Sequence, residues 1–238
     1  MAKKQELSGN TFQQTTPREL IILAMGPTRN QCPYDAETWG VNNGYKQAKE
    51  AGGHLDKLFL AHTQVKDEQG DNIFNWAEIN SLGVEVINTH KVKGLKSKLF
   101  PMKRIVEKFG VNYFSDTICY MLVYAIDQAT GKEDGELKLR YPMRIRLYGA
   151  DMHTKDEYAL EKPAIEYWIG VARGLGIEVE VSEGSALFKT ITGKPYGEKL
   201  TNSNPNILLE SYVNAFFSPV SGALVGVVPD EVIDKIVV

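Results

Sequence analysis

Short apolar runs, several rich in β-branched residues, recur at residues 20–25, 38–42, 57–62, 84–88, 144–149 and 177–181, with helical segments between most of them. No other feature constrains the fold as strongly. A brief continuous apolar run, stopped in the first case by Gly26-Pro27, suits a strand covered on both faces, as in a parallel sheet. The helical segments fall at 44–51, 75–82, 102–109, 117–130 and 163–173. In the fourth, Ile118, Met121, Leu122, Ala125 and Ile126 share one face at helical spacing. The fifth opens at Pro163 and closes before Gly174 and Gly176, the usual asymmetry of helix ends.

Strands alternating with helices of this length imply βαβ crossovers. The expected fold is therefore α/β, with a doubly wound, mainly parallel, Rossmann-like sheet. Residues 131–143, charged and rich in turn formers, read as a surface excursion or a small hairpin. Residues 1–17 read as a flexible N-terminal arm, 18–184 as the Rossmann-like domain, and 185–238 as a loop-rich C-terminal extension packed on the same domain. The extension is broken by Gly193, Pro195, Gly197, Pro205, Pro219 and Pro229. It is expected to wrap the domain, cover the ligand or meet another subunit, which leaves a homo-oligomer open.

Charge and cysteine usage narrow the function classes. A formal charge of -3 and an isoelectric point near 5.9 supply no basic field for nucleic acid or an anionic membrane. Cys32 and Cys119 stand apart from any CxxC or Cys/His cluster, so neither a disulfide framework nor a zinc site is indicated. No run of 18 apolar residues and no secretory leader is readable, and the expected location is the cytoplasm.

The residues that can carry chemistry stand where the strands end. Gly26, Pro27, Thr28 and Arg29 follow the first run; a small-residue turn there lets backbone amides approach a phosphate, with a hydroxyl and a guanidinium to add. The plainer reading is that Gly-Pro only ends a strand. Asn42 and Asn43 follow the second run and can read a ribose or base edge, or cap the next helix. His62 ends the third run and is a candidate for acid–base work, as is His153; His90 shares the ambiguity of a loop histidine. Asp151, after Tyr148-Gly149-Ala150, can bind a ribose hydroxyl, hold a metal, orient His153 or cap a turn. Glu161, Glu166 and Glu183 lie around the last helix, where they can serve acid–base chemistry or magnesium; Glu161 reads as a helix-surface residue. Ser115, Asp116 and Thr117 look like a helix cap whose free amides also suit a phosphate.

The order of these motifs resembles a group of Rossmann-like proteins that comprises the bacterial sialyltransferase-like enzymes, the motility accessory factors and the 6-hydroxymethylpterin pyrophosphokinase-like proteins. Gly26-Pro27-Thr28 looks like that group's Gly-Pro-Ser-like loop, residues 115–125 like its hydroxyl-opened helix, and Leu147-Tyr148-Gly149-Ala150-Asp151 like its Gly-x-Asp strand end. The chain also looks similar to uncharacterised proteins often carried by bacteriophages, most of all over residues 148–176. Thr28 departs from the group's usual Ser, and no histidine here matches the sialyltransferases' catalytic one. The resemblance implies a nucleotide, a nucleotide-sugar or a similar pyrophosphate at the Gly26 loop, with Asn42 or Asn43 and the start of the long helix helping.

Three functions follow as expectations. The first is a nucleotide-dependent transferase, glycosyl transfer foremost, with His62 or His153 as base and Arg29 beside the departing phosphate. The others are a non-catalytic nucleotide-binding or sequestering module, and a phage structural or assembly protein.

Overall fold

A computed structural model describes residues 16–62, 66, 72–155 and 157–189. Most of the expected N-terminal arm and of the 185–238 extension lies outside these described residues. In chain order the elements are β1 (Arg18–Leu23), β2 (Glu37–Val41), α1 (Gly44–Glu50), β3 (Lys57–Leu60), α2 (Trp76–Ser81), β4 (Glu85–Asn88), β5 (Lys98–Leu99) and α3 (Met102–Phe109). Then come α4 (Thr117–Ala129), β6 (Thr130–Glu133), β7 (Glu136–Leu139), β8 (Met143–Tyr148), α5 (Lys162–Gly174) and β9 (Glu178–Val181).

Seven strands form one sheet in the order β5-β4-β3-β2-β1-β8-β9, and every pair is parallel. β1, fifth in that order, pairs Leu23 with Gly40 of β2 on one side and with Tyr148 of β8 on the other. Residues alternate between the two faces of each strand. Leu20, Ile22, Trp39, Val41, Phe59, Ile145 and Leu147 pack toward α3, α4 and α5. Ile21, Leu23, Leu58, Leu60 and Val86 pack with Tyr45 and Ala48 of α1 and Ile79 of α2. Helices on both faces make the sheet doubly wound, as the alternation of runs predicts.

The second face is not covered evenly. Across β1, β8 and β9 it carries Glu19, Arg144, Arg146, Glu178 and Glu180 in cross-strand ion pairs, with Asp35 paired to Arg146. On the first face α4 is the central helix; ten of its thirteen residues are buried, and an apolar surface all round fits a helix enclosed on every side. Asp127 interrupts that surface and binds Arg104 and Lys108, which fastens α3 to α4.

The structure differs from the reading in small ways. The two-residue strand β5 has too few positions to show a period. α4 ends at Ala129, and Thr130 opens the β6–β7 hairpin that the charged stretch foreshadows. The cap of α4 is Asp116, whose carboxylate accepts from the Cys119 amide at 2.9 Å, and not Ser115.

Candidate functional site

The strand order reverses between β1 and β8. From β1 the chain builds outward through β2, β3, β4 and β5, then returns to place β8 and β9 on the opposite side. Loops that leave adjacent strands in opposite directions open a crevice at the carboxyl ends of those strands. A cleft of about 400 Å³ lies there, within the range of small-molecule sites.

Each wall comes from a strand end or a helix start. Met25 and Gly26 follow β1, Asn42 follows β2, Ala61 and His62 follow β3, and Gly149 and Met152 follow β8. Ser115, Asp116 and Thr117 bring in the amino end of α4, with Phe114 and Tyr120 beside them. Glu157 and Glu161, after β8, complete the lining. Asn42 and Met152 both sit in the left-handed region, at φ of 49° and 55°. For Met152 in particular that conformation costs on the order of 1 kcal/mol or more, and such strain gathers at functional sites. The Asn42 side-chain oxygen is shielded from solvent with no hydrogen-bond partner among the described residues, an unfavourable state beside the cleft.

The turn after β1 is held from beneath. The Asp151 carboxylate, buried, accepts from the Thr28 amide at 2.9 Å and from the Thr28 hydroxyl. That hydroxyl also accepts from the Gly149 amide at 2.9 Å and contacts the Ser182 hydroxyl at 2.7 Å. Gly26 bonds through its amide to the Gly149 carbonyl, and the Arg29 guanidinium donates to the carbonyls of Met25 and Gly26. A Cβ on Gly26 would lie 2.6 Å from both an Asp151 oxygen and the Gly149 carbonyl, so only glycine lets the two strand ends approach this closely.

Of the residues singled out from the sequence, Gly26, Asn42, His62, Ser115 and Thr117 line the cleft together. Pro27, Thr28, Arg29, Asn43, Asp151, His153 and Glu183 are not in its lining. The geometry revises what several of them do. The Gly26, Thr28 and Arg29 amides, expected to face a phosphate, are taken by Gly149, Asp151 and Gly26. Asp151 and Thr28 are a clamp between β1 and β8. His153 is exposed, with Nε2 at 3.0 Å from the Gly184 carbonyl, and Glu183 contributes its own carbonyl to Gln31. Asn43 reaches the Ile73 carbonyl at 3.4 Å. The Asp151 carboxylate is occupied by Thr28, and among the described residues no three His, Cys, Asp or Glu side chains converge as a metal site.

Asp116, read from the sequence as part of the helix cap, also lines the cleft; the sequence does not single out Glu157, and Glu161 reads there as a helix-surface residue. Glu157 and Glu161 are one helical turn apart on the approach to α5, a spacing that puts two carboxylates on one side. Burial pushes the Asp116 carboxyl above the usual carboxylate range, against the Cys119 and Ile118 amides, and the Glu157 charge pushes the same way. No Lys or Arg belongs to the lining among the described residues. Burial likewise raises the thiols of Cys32 and Cys119, so neither is an activated nucleophile.

No family model matches the chain, and no curated protein does. The solved structure of thiamine pyrophosphokinase from Bacillus subtilis superposes with a TM-score of 0.39 at 14% identity, over 68% of this chain and 59% of that one. The chain thus matches less than two thirds of that protein's length, and so loose a likeness bears on neither site nor ligand. No helix among the described residues is long and apolar enough to cross a membrane.

Proposed function

We propose that the cleft binds a nucleotide or nucleotide-sugar and that the chain is a nucleotide-dependent transferase, with glycosyl transfer its specific form. The observation that carries the reading is the position of the cleft: the reversal point of a parallel sheet, walled by two glycine-containing strand ends and the amino end of α4. Carboxylates are the usual acceptors for ribose and sugar hydroxyls, and Glu157 and Glu161 place two of them in the lining, apart from Asp116. The amino end of α4, with the Ser115 and Thr117 hydroxyls, is left for the phosphate.

The proton carrier in this scheme is Asp116, in place of His153, which stands outside the lining. A carboxyl whose proton affinity is raised by burial is a better base for a hydroxyl than an ordinary one. The acceptor hydroxyl attacks the sugar's anomeric carbon, its proton passes to Asp116, and the bond to phosphate breaks with the electron pair leaving on the nucleotide.

A thermal-shift series against nucleoside mono- and diphosphates and nucleotide-sugars tests the binding, since a ligand that binds only the native state raises the melting temperature. Asp116→Asn separates binding from transfer, because Asn caps a helix as well as Asp does. The expected result is an unchanged shift and the loss of nucleotide-sugar turnover. Absence of a shift with every nucleotide refutes the reading.

A further inference from the structure

Aromatic rings are stacked on both sides of the cleft. On the β3 side, His62 lies 6.0 Å from Phe74 with ring planes 21° apart, and Phe74 lies 5.3 Å from Trp76 at 11°. On the α4 side, Phe114 lies 5.0 Å from Tyr120 at 10° and 5.4 Å from Trp168 at 15°. His62, Phe114 and Tyr120 belong to the cleft lining. Phe74, the middle ring, is buried, Trp76 is half-buried and His62 is exposed, so the first stack is anchored at Phe74 and open to the cleft at His62.

We infer that the cleft holds the planar heteroaromatic ring of its ligand, a nucleobase, against His62, as the outermost member of the stack that runs back through Phe74 to Trp76. The inference rests on the nucleotide reading and assigns it a base subsite. An imidazole braced by a near-parallel ring loses little freedom when a second ring covers it, and every base has a π-face to offer. The Asn42 side-chain oxygen, in the cleft lining at the end of the neighbouring strand, is shielded with no hydrogen-bond partner among the described residues, which leaves an acceptor for the edge of a base. In this arrangement His62 is a binding residue and need not carry a proton.

The test uses the full chain with AMP, GMP, CMP and UMP as probes and ribose 5-phosphate as the ring-free control. Binding is measured by calorimetry, and the imidazole C–H resonances of His62 are followed by NMR among the four histidines. The expected results are an upfield ring-current shift of His62 with the nucleotides but not with ribose 5-phosphate, and an affinity about five- to a hundredfold lower in His62→Ala. His62→Phe, which keeps a stacking ring, should restore affinity, whereas His62→Gln, which keeps polarity, should not. His62 is exposed, and circular dichroism verifies that the variants fold. Nucleotide binding without a His62 shift, or His62→Ala binding within twofold of the parent, overturns the base subsite and leaves the nucleotide reading standing. If no nucleotide binds, both fall.

Discussion

The clamp between Thr28 and Asp151 is a pairing of residues 123 positions apart, and its energetics follow from its geometry. Asp151→Ala removes the acceptor of the Thr28 amide and of its hydroxyl, two bonds to a buried carboxylate. A hydrogen bond to a charged group is worth about 1.5–3 kcal/mol, so the variant should lose about 3–6 kcal/mol. Asp151→Asn should lose less, about 1–2 kcal/mol. Its carbonyl oxygen still accepts from the Thr28 amide, and its NH₂ donates to the Thr28 hydroxyl, which can turn its own proton toward Ser182. Thr28→Val breaks the same network from the other side and strips the Gly149 amide of its acceptor. Because both substitutions remove the bond between the Thr28 hydroxyl and the Asp151 carboxylate, their effects must not add in full. Urea unfolding followed by tryptophan fluorescence, run on the parent, the Thr28→Val and Asp151→Ala variants and the double variant, should give a coupling of at least ~1 kcal/mol. Additivity within about 0.5 kcal/mol, or an Asn variant as unstable as the Ala variant, refutes the clamp.

Three further substitutions probe the frame around the site. Asp127→Ala leaves Lys108, whose side chain is 14% exposed, without its carboxylate, and should cost about 3–5 kcal/mol by urea unfolding; Asp127→Ala/Lys108→Met should recover part of that loss. Burial works to raise the Glu37 carboxyl, but hydrogen bonds from Lys57, Arg18 and Trp39 outweigh it and hold the group down to about 2. A folded-state value below the unfolded 4.5 stabilises the protein above that pH, and the contribution is lost as pH falls from about 4.5 through about 2; acid titration of stability should therefore be shallower in Glu37→Gln than in the parent over that window. Gly170→Ala, in the exposed middle of α5 with no atom within 4 Å of the added Cβ, should raise stability by about 0.5–1 kcal/mol, read as a higher urea midpoint.

The strands and main helices were legible because their signals are local. A run such as Leu20-Ile21-Ile22-Leu23 carries its burial on both faces in its own composition, and the alternation with helices then dictates parallel pairing. β5 was not legible because two exposed residues hold no pattern. For the site, position was readable and role was not. That Gly26, Asn42 and His62 share a cleft follows from each ending a parallel strand. Whether the Thr28 amide faces the cleft or Asp151 depends on β8 lying beside β1, a fact of pairing across 123 positions that no window of sequence contains.

The same non-locality decides the electrostatics. Asp116 reads from sequence as a helix cap and performs that role, yet it also shares a cleft with Glu157, which arrives from the far side of β8. Capping is a local requirement that fixes where the carboxylate stands. The approach of a second carboxylate, together with burial, then alters what it can do, by raising the pH at which it holds its proton. A residue conserving the cap but unable to titrate, Asn, therefore isolates the second role from the first. In this chain, stability and proposed chemistry are separable at Asp116, whereas at Asp151 they are not: its carboxylate is occupied by the loop that it holds, and any substitution there reaches the cleft only by slackening the turn at Gly26.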